Sequence, residues 1–126
     1  MHAMPPYGLW EEPAERGRIP PHRTDSGAYL TAEVLGAKRC VLVKDEQGLF
    51  TADPKKNQTA EFIPEIEVNE LLALDLPDLA VERAMLRELA HARSVREVLV
   101  INGREHGNLT RALSGENPGT RIYRRE

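Results

Sequence analysis

The sequence predicts an α/β protein, a mostly parallel sheet with helices flanking it. Three observations carry that prediction. Two short apolar runs, Arg39-Cys40-Val41-Leu42-Val43 and Glu97-Val98-Leu99-Val100-Ile101, suit strands covered on both faces, as strands of parallel sheets are. Segments of helical periodicity stand before, between and after them. The resulting alternation of helix, strand, helix, strand, helix and strand is the pattern of parallel strands joined by right-handed crossovers.

The elements follow in chain order. Residues 1–23 carry Pro5, Pro6, Pro13, Pro20 and Pro21, with Tyr7 and Trp10 between them. Proline at that density disfavours regular structure, so 1–23 is set apart as a loop or interface segment, and 24–126 as the folded unit. Tyr7 and Trp10 either anchor this loop on the body or fill a partner's pocket. A helix is expected over 25–35, with Thr24 or Asp25 as N-cap and Gly36 as its stop. Its apolar stripe is Ala28, Ala32 and Leu35, with Leu30 and Val34 alongside. The strand 39–43 follows, then an Asp45-Glu46-Gln47-Gly48 turn in which Gly48 is free to take positive φ. After a loop at 53–57, residues 61–64 form a short edge strand, as Pro64 suggests. A helix covers 68–74, and Pro77 separates it from a longer one over 79–93, where Val81, Met85, Leu89 and Ala92 recur at helical spacing. The strand 97–101 ends at Asn102-Gly103. Asn108 caps a last helix to about Leu113, Gly115 stops it, and 119–123 is the final strand.

Composition narrows the function. The 126 residues hold 17 basic and 20 acidic side chains, a net charge of −3. That balance argues against a general binder of nucleic acid or of membrane surfaces. No apolar run approaches the roughly 18 residues that would cross a bilayer, and no apolar signal-peptide core opens the chain. The single cysteine, Cys40, falls in an expected buried strand and suits a reducing compartment, so a cytoplasmic protein is expected.

Two constellations are candidates for chemistry. In open α/β sheets ligands bind beyond the carboxyl ends of the strands. Lys44, Phe50 and Asp53 fall at that edge, as a phosphate-facing cation, a base-facing aromatic, and a ribose or metal acceptor; the same residues also make an ordinary strand, turn and loop. Lys55 and Lys56 read as a solvated pair. The second constellation is His22, Arg23, Thr24 and Asp25, where an expected helix N-terminus offers N–H groups and partial positive charge to an oxyanion. An ordinary N-cap beside a solvated arginine explains it equally. The histidines His2, His22, His91 and His106 show no zinc spacing, and His91 and His106 read as surface groups. Glu61, Glu65, Glu67 and Glu70 read as a solvated acidic face. No catalytic residue is identified.

The strings VKDEQGLFTADPKK, RTDSGAYLTAEVLGA and GNLTRALSGENPGTRI resemble the nucleotide-binding segment, the preceding helix and the closing helix and strand of the amino-acid kinase superfamily, in its uridylate-kinase-like branch. The openings MPPYGLWE and GRIP and the segment LLALDLPDL are similar to the molybdenum-storing members of that branch. The resemblance implies the C-terminal half of an amino-acid kinase fold. Such domains are roughly twice this length and begin with a glycine-rich phosphate loop, which is not found here; half of a domain, truncated or split, is therefore expected. It further implies ATP with Mg2+, bound by Lys44 in the nucleotide pocket, Phe50 near the base and Asp53 on the ribose side. Thr24 and Asp25 keep the family residues where uridylate kinases hold the nucleoside monophosphate. His22 and Arg23 depart from the kinase pattern, which favours an inorganic oxyanion, molybdate or tungstate, as the stored ligand. His2 and His22 are candidate contacts to an oxide cluster. Homologous or paralogous subunits in a hexamer-like assembly are the implied partners, with neither nucleic acid nor membrane. The alternative is a uridylate kinase-like phosphotransferase, and a third reading is a remnant without function.

Overall fold

The structure is a computed structural model, and it describes residues 24–125. The expectations for Tyr7, Trp10, His2, His22 and Arg23 concern residues outside that range. The chain runs α1 (Thr24–Val34), β1 (Arg39–Lys44), β2 (Leu49–Phe50), β3 (Phe62–Ile63), β4 (Glu65–Glu67), α2 (Val68–Leu74), α3 (Arg83–Ala90), β5 (Glu97–Asn102), α4 (Asn108–Leu113) and β6 (Thr120–Tyr123). A four-stranded sheet has the order β1-β5-β6-β4, and β2 pairs with β3 in a small antiparallel ribbon.

β5 is the strand the apolar run predicts. Val98 and Val100 face the main core, and Leu99 and Ile101 face a second cluster with Ala112 of α4 and Val41 of β1. All four are at most 1% exposed. The main core gathers Tyr29, Leu71, Met85, Leu86, Leu89 and Ile122 from α1, α2, α3 and β6. No helix among the described residues is long and apolar enough to cross a membrane.

The sheet is mixed rather than wholly parallel. β1 and β5 run parallel, Arg39 opposite Glu97 through Lys44 opposite Asn102, but β6 runs antiparallel to β5. A parallel return from β5 must carry the chain back about 20 Å at the rise of a strand. α4 has six residues, about 9 Å of helix, so the chain re-enters the sheet at the end where β5 leaves it, with Thr120 opposite Val100.

Several local expectations need correction. In α1 the buried residues are Asp25, Ser26, Gly27 and Tyr29, while Val34 and Leu35 are 86% and 77% exposed. Polar anchors set the helix rotation. The Tyr29 hydroxyl donates to the Glu88 carbonyl at 3.1 Å, and Glu33 accepts the N–H groups of Arg93, Ser94 and Val95 at 2.7 to 3.0 Å. Asp25, Tyr29 and Glu33 lie four residues apart and so share one face. The stop at Gly36 is as expected, with φ +74° and an Ala37 N–H to Ala32 carbonyl bond of 2.9 Å, the left-handed helix ending that favours glycine.

The long helix expected over 79–93 is shorter, because Glu82 stands extended (φ −73°, ψ 132°) and α3 begins after it. The turn before β2 does not use positive φ at Gly48. Glycine is required there by approach: a Cβ would sit 2.3 Å from Thr120 Oγ1. Glu67 is no part of a solvated face. It is 4% exposed and caps α2, accepting from the Asn69 and Glu70 N–H groups at 2.8 and 3.1 Å.

Candidate functional site

β1 delivers Lys44 to the carboxyl end of the sheet, beside the start of α1. The Lys44 Nζ lies 2.7 Å from Asp25 Oδ1. Asp25 is 6% exposed, so this ion pair is partly withdrawn from water, while the Lys44 side chain keeps 26% of its surface. An ammonium has three donors, and one is spent on Asp25.

Asp25 is held from its other side by α3. Its Oδ2 accepts the Glu82 N–H at 3.2 Å. Glu82 returns the contact: its carboxylate accepts the Asp25 and Ser26 N–H groups at 3.3 Å each and the Ser26 hydroxyl at 2.7 Å. The N–H groups at the start of α1 thus meet a carboxylate of the same chain. Cys40 lies nearby in β1. Burial pushes its thiol up to about 11, with the Asp25 charge adding to the effect, so it stays a protonated, unreactive thiol at neutral pH.

A second feature lies past β1. Glu46, Gly48, Phe50, Ala52, Asp53, Pro54, Asp78 and Ala80 line a cavity of about 170 Å³. β2 supplies Phe50 to its wall, and Phe62 of β3 packs against that ring, with centroids 5.5 Å apart. The wall is tied to the sheet by Thr120, whose hydroxyl accepts the Leu49 N–H at 2.8 Å and donates to the Ile63 carbonyl at 2.5 Å. Asp53 also organises its own loop, accepting from the Lys55 N–H at 2.9 Å. Lys55 is exposed, as expected, and pairs with Glu46 at 3.0 Å. An aromatic edge with carboxylates on the rim suits a flat heteroaromatic group carrying hydroxyls. Three acidic side chains do not suit a bare polyphosphate.

Of the residues read from the sequence, Phe50 and Asp53 line one cavity, and Lys44 belongs to the other cluster with Asp25. Thr24 opens α1. Glu82, Ser26 and Asp78 were not anticipated. Glu82 lay inside an expected helix, and only the preceding Pro77 hinted at a later helix start. Among the described residues no group of three or more histidine, cysteine or acidic side chains is placed to hold a metal ion. His91 and His106 are exposed.

Comparison with known proteins places this geometry. Residues 11–102 match the amino acid kinase family. The chain is 54% identical over 94% of its length to the molybdenum storage protein subunit beta of Azotobacter vinelandii, of which it covers 44%. It is 31% identical, again over 94% of its length, to a uridylate kinase of Hyperthermus butylicus, of which it covers 58%. Among solved structures, the UMP kinase of Ureaplasma parvum superposes with a TM-score of 0.68 at 25% identity, covering 81% of this chain and 42% of that one. The chain therefore spans about half the length of these relatives. With residues 11–102 matched and the fold shared, the chain belongs to the amino acid kinase family.

Proposed function

We propose that this chain is the nucleotide-binding portion of a subunit that stores molybdate or tungstate, and that it uses ATP in doing so. The observation that carries the reading is a contrast in similarity. Each match covers 94% of the chain, and identity is 54% to a molybdenum storage subunit and 31% to a uridylate kinase.

The residues fit the reading in two places. The cavity beside Phe50 would take the adenosine end of ATP, with Asp53 and Asp78 accepting ribose hydroxyls. Mg2+ would offset the charge of the phosphates against the acidic rim. Lys44 and the segment His22, Arg23, Thr24 and Asp25 would receive the oxyanion, with His2 and His22 contacting an oxide cluster. Such clusters need an enclosed space, so homologous subunits in a closed oligomer are the proposed partners.

The test is metal retention. The protein is produced in medium with molybdate or with tungstate, passed through gel filtration with and without MgATP, and its metal content measured per chain. Metal retained in excess over a uridylate kinase control, and increased by MgATP, supports storage. Phosphate transfer to uridylate without metal retention would replace it with the phosphotransferase reading.

A further inference from the structure

β1 is an edge of the four-stranded sheet, and among the described residues it pairs only with β5. The carbonyls of Lys38 and Lys44 accept from the β5 side. Backbone groups alternate in direction along a strand, so the N–H and C=O groups of Arg39, Val41 and Val43 face outward. Edge strands are ordinarily blunted by proline, a bulge or an inward charge. Cys40-Val41-Leu42-Val43 carries none of these, and Val43 is 52% exposed. α1 packs on this strand. Its Asp25, Tyr29 and Glu33 side is held by α3 and the residues on either side of it. At about 100° per residue, Gly27, Thr31 and Val34 point the opposite way. With Leu30 and Leu35 they line a groove of about 240 Å³, and Val34 and Leu35 are largely exposed.

The sequence along this edge is self-complementary. Lys38 and Arg39 stand at one end of the apolar run, and Asp45 and Glu46 at the other. Turned by a two-fold axis normal to the sheet at Leu42, a second β1 runs antiparallel to the first. Val41 then meets Val43 of the second copy in a pair that exchanges both N–H···O bonds. Asp45 comes to Arg39 of that copy, and Glu46 to its Lys38. A register centred on Val41 would instead set Lys38 opposite Lys44, two like charges. Across the same axis the two α1 helices run antiparallel on one face, with the small Gly27 and Thr31 of one beside Val34 and Leu35 of the other. We propose that the β1 edge and the apolar side of α1 form an isologous interface with a second copy of this chain, so that two four-stranded sheets become one. This goes beyond the storage reading and does not depend on it.

The test is sedimentation of the full chain over a range of micromolar concentrations, with hydrogen exchange read at single amides. Wild type should sediment as a dimer, at twice the chain mass of 14.2 kDa, and should protect the Val41 and Val43 amides. Lys38→Glu and Glu46→Lys each set like charges across the axis, and every substitution counts twice in a two-fold interface. Dimerisation should therefore weaken on the order of tenfold in either variant. The two variants mixed should recover the wild-type affinity as a heterodimer, because each then offers the charge that the other lacks. Val34→Asp, at an exposed position, should also weaken the dimer; circular dichroism checks that each variant keeps its fold. A monomeric wild type overturns the proposal, as does an association that ignores both charge variants or a mixture that fails to recover. A monomer with protected Val41 and Val43 amides overturns it too, and assigns the edge to another segment such as residues 1–23.

Discussion

Arg39 donates from Nε to Glu97 Oε1 at 2.6 Å, from the first strand of the sheet to its neighbour. The other oxygen of the same carboxylate takes the Nε of Arg121, which in turn pairs with Glu65. Arg39, Glu97, Arg121 and Glu65 come one from each strand, β1, β5, β6 and β4, so a single charge ladder crosses the whole sheet. Glu97 is its buried member, at 8% exposure. Burial would raise its pKa, and the hydrogen bonds and charges of Arg121 and Arg39 overcome this and hold it below the ordinary glutamate range.

Removing Glu97 should therefore be costly. Both arginines are about a third exposed, so water recovers part of the loss, and Glu97→Gln is expected to destabilise by about 2 kcal/mol. The sign with pH follows from the lowered pKa. The stabilisation is full above the unfolded glutamate value of about 4.3 and is lost as pH falls through the lower folded value. Urea melts across that window should steepen in wild type and flatten in Glu97→Gln. Equal acid sensitivity would show that Glu97 is not the titrating group.

Glu33 collects three successive backbone N–H groups at residues 93–95. Its pKa is lowered because those bonds, with Tyr29, outweigh the desolvation that would raise it. Glu33→Ala leaves the amides to solvent and should cost about 1–2 kcal/mol. Hydrogen exchange at Arg93, Ser94 and Val95 should accelerate more than in β5. Unchanged protection there would refute this role.

Gly119 is demanded by close approach. A Cβ on it would lie 2.0 Å from the Val100 carbonyl oxygen and 3.0 Å from the Gln47 carbonyl oxygen. These are backbone atoms, so neither can swing away, and Gly119→Ala should cost about 2–3 kcal/mol. At Gly36 a Cβ meets nothing within 4 Å, and Ala there should cost only about 1 kcal/mol through its positive φ. Thermal melts of the two variants should rank in that order.

Phe50 tests the cavity directly. If the adenosine end of ATP sits against its ring, Phe50→Leu should weaken ATP and adenosine by a similar factor, on the order of tenfold or about 1.4 kcal/mol. Phe62→Leu disturbs the ring pair without removing the lining side chain, and should cost less. Calorimetry showing ATP weakened and adenosine unaffected would place the base elsewhere.

Much of this architecture is legible in the residues themselves. The four apolar residues at 98–101 announce a strand covered on both faces, Gly36 announces the end of α1, and the alternation of periods announces an α/β sheet. Phe50 and Asp53 are close in sequence, so the cavity they share follows from one short turn. What the sequence left open depended on partners far along the chain. Glu33 reaches residues 93–95, Glu82 reaches Asp25, and Glu97 binds arginines 58 and 24 residues away. Local periodicity cannot register such bonds. The rotation of α1, the late start of α3 and the pairing of Lys44 with Asp25 were decided by tertiary structure, because each places buried polar groups against partners that only the folded chain brings within reach.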